Sequence, residues 1–137
     1  MPNYMDRGPQ PFITDICQAA RDNPNYRTTL WTGKHLQLTL MCIPAGGEIG
    51  LEAHPNTDQF LRVESGSCLV MMGPQKNALQ CRRRVQSGCA IFVPAGTWHN
   101  VVNTGRCPLK LSSIYAPPEH PHGTVHATKA VADLEGD

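Results

Sequence analysis

The chain has 137 residues and a formal net charge of +1, with 12 basic against 11 acidic side chains. That length fits one domain built round a single core. The balanced charge gives no electrostatic basis for binding nucleic acid or an anionic membrane surface, and no window approaches the roughly 20 apolar residues of a membrane-spanning helix.

Residues 1–25 read as an N-terminal segment. It opens with "MPNYMDRGPQPF", which is polar and proline-rich, unlike an apolar secretion leader. The stretch "ITDICQAARDN" (13–23) predicts a short helix: Thr14 as cap, Ile13, Ile16, Cys17 and Ala20 as the apolar stripe, and Asn23-Pro24 as the stop.

From 26 to 115 the chain reads as short strands. The candidates are 26–32, 36–43, 48–54, 59–64, 67–72, 81–85, 89–93, 98–103 and 108–115, rich in Val, Ile, Leu, Thr and Phe. Turn residues separate them, as at Pro44-Ala45-Gly46-Gly47, Glu64-Ser65-Gly66 and Pro94-Ala95-Gly96. Such spacing predicts an all-β antiparallel sandwich or barrel. The run Arg82-Arg83-Arg84 is read as a solvated edge strand whose charges block further pairing. Strand 36–43 is apolar on both parities, with Leu36, Leu38, Leu40 and Cys42 on one and Met41 and Ile43 on the other. A small barrel covers only one of those faces, so this strand predicts a homodimer.

Residues 116–137, "APPEHPHGTVHATKAVADLEGD", hold too little apolar content for another core strand and read as a C-terminal arm. Its part 116–126 is expected to lie across a partner. His120, His122 and His126 are read as polar cover for a neighbouring surface, because no strand geometry holds them together as a second metal site. The six cysteines (17, 42, 68, 81, 89 and 107) form no CxxC pair. They are expected to be free thiols in a cytoplasmic protein.

The stretch "GGEIGLEAHPNTDQFLRVESG" (46–66) carries polar groups where a sandwich strand would carry Val or Leu. Strand alternation points Glu52 and His54 to one face and Ala53 to the other. If "HPNTD" makes a hairpin, Gln59 returns opposite them. Three polar groups then converge inside a barrel, where each would cost a few kcal/mol if left unpaired. A metal ion would satisfy all three.

A second stretch, "GCAIFVPAGTWHNVVN" (88–103), reads G-x5-P-x-G-x2-H-x3-N, with Gly88, Pro94, Gly96, His99 and Asn103 in register. It resembles the second conserved motif of the cupin superfamily. The first cupin motif, G-x5-H-x-H-x3,4-E-x6-G, is similar in spacing to Gly46, Glu52, His54, Gln59 and Gly66. The resemblance covers 46–103 by motif and about 26–115 by strand pattern. It implies a cupin-type double-stranded antiparallel jelly-roll barrel, with the short helix before it and the arm after it. Carried over position by position, it implies metal ligands Glu52, His54, Gln59 and His99. Here Glu52 stands at the family's first histidine and Gln59 at its glutamate, so the carboxylate has moved rather than vanished. The set is similar to that of small cupins of the mannose-6-phosphate isomerase-like kind.

Two imidazoles and two oxygens suit Mn, Fe, Co, Ni or Zn. One carboxylate against a divalent ion leaves the centre near +1, which attracts anionic or enediolate-forming oxygens. The expectation is a metal-dependent isomerase or lyase acting on a small oxygenated substrate such as a sugar or sugar phosphate. The alternatives are a non-enzymatic binding or sensor module and a metal-dependent dioxygenase. No catalytic residue is identified beyond the ligands. Asp58 is read as a loop or cap residue, Asn103 as structural, Tyr115 or Ser113 as lining the barrel mouth, and Trp98 as packing outside or on a partner.

Overall fold

Alternating apolar side chains close two antiparallel sheets on one core. The computed structural model describes residues 5–136; residues 1–4 of the N-terminal segment and 137 of the arm lie outside the described residues. The larger sheet contains β1 (Arg27–Thr32), β2 (Gln37–Ile43), β3 (Asp58–Ser65), β6 (Ala90–Val93), β8 (Leu109–Ala116) and β9 (Val125–His126), in the order β6-β3-β8-β2-β1-β9. The smaller contains β4 (Ser67–Gly73), β5 (Cys81–Gln86) and β7 (Trp98–Asn103), in the order β5-β4-β7. Helix α1 (Ile16–Asp22) precedes the strands and α2 (Lys129–Leu134) follows them. This is the expected jelly-roll barrel.

The inward faces divide along the barrel axis. Ile43, Leu61, Val63, Cys68, Leu109 and Leu111 are buried in the apolar cluster that fills one part. Further along β2, β3 and β8 the inward positions turn polar: Gln37, Thr39, Gln59 and Ser113 are all buried. Polar interiors need partners, so this end is where a site can be built. Gly66 makes the tight β3–β4 connection at φ +100°, and a Cβ there would lie 3.3 Å from Leu109 Cα. Only glycine meets both demands at no cost.

Three departures from the sequence reading have physical causes. Residues 48–54 are extended but not a regular strand. They run along β7 through isolated bridges Glu48–Val102 and Glu52–His99, interrupted at Gly50 with φ +103°. Helix α1 starts later than expected because Asp15, not Thr14, caps it, accepting from the Gln18 amide at 3.1 Å. A carboxylate at the N-cap also faces the positive end of the helix dipole.

The third departure is the arm. It folds back on its own barrel: β9 pairs with β1, Thr128 caps α2, and Ala132 enters the core cluster. Gln37 holds it near its start, donating from Nε2 to the His120 carbonyl at 2.7 Å and accepting at Oε1 from the Glu119 and His120 amides. Hydrogen bonding to a buried side chain does here what apolar content could not. The outer face of β2 is covered by α1, where Ala19 and Ala20 pack with Leu30, Leu38 and Leu40. The second layer expected from another subunit is therefore supplied by the chain's own helix. All six cysteines are unbridged, and no helix among the described residues is long and apolar enough to cross a membrane.

Candidate metal centre

β7 supplies His99, and the extended segment beside it supplies Glu52 and His54. Reciprocal backbone bonds between Glu52 and His99, at 2.9 and 3.0 Å, fix their registry. The Gly96 amide donates to the His54 carbonyl at 2.8 Å and anchors the end of that segment. Gly96 has φ +81°, so the turn of the second motif needs glycine for this contact.

Glu52 Oε2 lies 3.2 Å from His54 Nε2 and 3.3 Å from His99 Nε2. One donor atom from each of the three residues falls within 4.8 Å of the others, close enough for one ion. The predicted parity of Glu52 and His54 therefore holds although the strand does not.

His99 is buried, and its Nδ1 lies 3.1 Å from the Thr97 carbonyl. A carbonyl only accepts, so Nδ1 carries the proton and Nε2 presents a lone pair to Glu52 and His54. Nε2 makes no hydrogen bond among the described residues. Gln59, at the start of β3, is also buried; its Nε2 donates to Ser113 Oγ at 2.9 Å, while its Oε1 has no hydrogen-bond partner among the described residues. Two buried orphaned acceptors are costly unless something electropositive meets them. A cation fits this donor set.

Burial alone would raise the Glu52 pKa, but the imidazoles of His54 and His99 outweigh it and bring it down to about 2. Glu52 is thus a carboxylate at neutral pH. Burial lowers the His54 pKa, yet the hydrogen bond and charge of Glu52 raise it on balance. Protons and a metal ion therefore compete for the same nitrogen.

Five residues not singled out as ligands surround the cluster. Glu119, from the arm, brings Oε1 within 3.5 Å of His54 Nδ1 and accepts from Thr57 Oγ1 at 3.3 Å. Tyr115 stacks edge-on against His54 and His120, with centroids 5.6 and 5.1 Å apart. Burial pushes the Tyr115 hydroxyl up to about 12, so it stays protonated. His120 is held neutral: burial, then the charge of Arg27, lower its pKa to about 3. Arg27, Glu119, His120 and Trp98 line, with Glu52 and His54, a cavity of about 360 Å³.

Trp98 therefore reaches the cavity rim rather than only an outer face, with the Lys76 ammonium 5.4 Å from its ring centroid. Asp58 does cap a loop, accepting from the Ala95 amide at 2.9 Å. Asn103 is structural, donating to the Ile43 and Cys107 carbonyls and accepting from Gly105. Ser113 and Tyr115 both face the polar end. Arg27, Glu119 and His120 carry no motif, and the arm that brings two of them was read as an appendage. His122 and His126 are taken up elsewhere, against Asp6 and Glu135.

A cupin domain model matches residues 39–115. The uncharacterized protein YrkC of Bacillus subtilis (strain 168) is 60% identical over 127 residues, covering 93% of this chain and 68% of that protein. The uncharacterized protein L612 of Acanthamoeba polyphaga mimivirus is 34% identical over 117 residues, 85% of this chain and 71% of that one. Among solved structures, BH2720 of Bacillus halodurans superposes with a TM-score of 0.94 at 57% identity, covering 95% of this chain and 98% of that one. With more than half its length matched by the family model and its two motifs meeting at one polar cluster, the chain belongs to the cupin family.

Proposed function

We propose that this cupin holds one divalent transition-metal ion through Glu52, His54, Gln59 and His99 and acts as an isomerase or lyase on a small oxygenated substrate, of the sugar or sugar-phosphate class. The observation that carries the reading is His99 Nε2, buried without a hydrogen-bond partner among the described residues in a cluster where Glu52, His54 and His99 offer donor atoms within 4.8 Å of one another; Gln59 Oε1 is likewise buried and without one. An ion bound there would supply Lewis acidity to a coordinated oxygen.

The chain's own groups define the rest. Thr97 fixes the His99 tautomer with Nε2 facing the cluster, and Glu119 Oε1 lies 3.5 Å from His54 Nδ1. Tyr115 packs on His54 and excludes water from one side of its ring. Glu119 is about one-third exposed while touching the centre, which suits it to pass a proton between the cavity and solvent. Its presence favours an enzyme over a sensor, which needs no such group.

The proposal extends to a cytoplasmic homodimer. Six unbridged cysteines accord with a reducing compartment. Phe92 on the larger sheet and Leu36 just before β2 leave apolar area exposed. The test of function is a screen of metal-replete protein against aldose and ketose phosphates, read by NMR of the carbon next to the carbonyl. Interconversion or bond cleavage that disappears with His54→Ala supports the enzyme. Tight binding of such compounds without turnover would replace the enzyme with a binding module.

A further inference from the structure

We infer that Gln37 is a positioning residue for the metal centre, acting from β2 through the backbone of the arm to place Glu119 against His54. This deepens the proposed function and rests on it for the ion. Gln37 is fully buried at the start of β2, in register with Tyr115, which packs edge-on against His54. Its amide is spent largely on the arm. Oε1 accepts from the Glu119 amide at 3.2 Å and from the His120 amide at 3.0 Å, while Nε2 donates to the His120 carbonyl at 2.7 Å. Backbone N–H groups only donate and carbonyls only accept, so these partners settle which way round the amide sits. Nε2 also donates to Thr32 Oγ1 at 2.9 Å. That hydroxyl donates to Asp6, whose carboxylate accepts from the Gly123 amide further along the arm.

The two residues gripped in this way, Glu119 and His120, both line the cavity with Glu52 and His54. His54 Nε2 lies 3.2 Å from Glu52 Oε2, and its Nδ1 lies 3.5 Å from Glu119 Oε1, so the two carboxylates take different nitrogens of one ring. A carboxylate on the second nitrogen of a ligating imidazole orients the ring and raises its basicity. Glu119 has no ladder to hold it there, because residues 117–120 belong to no helix or strand. Its side chain accepts from Thr57 Oγ1 at 3.3 Å, and its backbone is placed by Gln37. Removing the Gln37 amide therefore loosens Glu119 without touching any proposed ligand.

The experiment uses the full chain and Zn(II), with affinity read by competition against a chromogenic chelator. Gln37→Met removes the contacts to the arm, Glu119→Gln removes the carboxylate, and a double variant combines them. Gln37→Met should bind Zn(II) about tenfold more weakly than wild type. In the Glu119→Gln background the same change should cost less than about twofold, because the group it acts through is already gone. A buried residue with a merely structural role would lower the urea midpoint and leave Zn(II) affinity alone. Wild-type affinity in Gln37→Met therefore overturns the inference, and so does full additivity in the double variant. If Gln37→Met fails to fold, amide hydrogen exchange of wild type decides. Coupling is reciprocal, so Zn(II) should slow exchange at the Glu119 and His120 amides about tenfold, and equal rates overturn the inference. If wild type takes up no ion, the proposed function fails separately. The positioning role is then read from the 15N shift of His54 Nδ1 in the metal-free protein. That shift should move alike in Gln37→Met and Glu119→Gln, and an unmoved shift in Gln37→Met overturns the inference.

Discussion

Glu52 draws two imidazoles toward a single oxygen, and its charge sets that of the whole centre. Replacing it by Gln takes a loaded site from about +1 to about +2, so Glu52→Gln should release metal more readily than Gln59→Glu, measured by competition with a chromogenic chelator. Equal loss from both would mean that charge is not what the exchange of these two residues governs. Glu119→Gln keeps the shape but weakens the hold on His54 Nδ1, and a 10- to 100-fold loss of metal affinity is expected in the same assay. His120 gives a pH signature. Its folded pKa of about 3 lies below the ordinary 6.5, so the unfolded chain takes up its proton first. Stability is whole above 6.5 and should decline below it by about 1.4 kcal/mol per pH unit until the folded value is reached. His120→Asn should flatten that part of a plot of Tm against pH, and an unchanged slope would place the acid sensitivity elsewhere.

Asp6 ties three segments together. Its carboxylate accepts from the Gly8 and Thr32 amides at 2.9 Å, from Thr32 Oγ1 and from the Gly123 amide at 3.1 Å, so the N-terminal segment, β1 and the arm share one anchor. Burial raises its pKa, but these hydrogen bonds win and lower it below 3.8. Its contribution is therefore complete above pH 3.8 and is lost as pH falls through the folded value. Asp6→Ala should cost about 2–4 kcal/mol in urea unfolding, because one buried and two part-buried amides lose their acceptor. A loss under 0.5 kcal/mol, within the range of a surface substitution, would contradict the anchor. The arm's fold was hard to read from sequence for the same reason: Asp6 and Gln37 hold it by hydrogen bonds from distant parts of the chain, which leave no periodicity. The barrel strands were legible because alternation and turn chemistry are local. Segment 48–54 lies between these cases, its side-chain parity legible and its ladder broken at Gly50. The cluster of Glu52, His54 and His99 was readable from motif spacing. Arg27 and Glu119 were not, since only the folded arm and β1 bring them to the cavity.

At the scale of the molecule, α1 and the folded arm take over the covering role that strand 36–43 had suggested for a partner. Apolar side chains that remain exposed include Phe92 at 67%, Leu36 at 43%, Ile13 at 97% and Leu134 at 88%. Light scattering of the proposed dimer should give twice the 15.0 kDa chain mass. A monomer at micromolar concentration would contradict it without touching the metal centre, which lies within one chain. The centre itself is tested most directly by elemental analysis of protein purified without added metal, beside the double variant His54→Ala, His99→Ala. The account predicts about one transition-metal ion per wild-type chain, since structural and catalytic sites of this donor type bind stoichiometrically, and none in the variant. A wild-type chain free of metal, and unable to take up Mn, Fe, Co, Ni or Zn on dialysis, would contradict it.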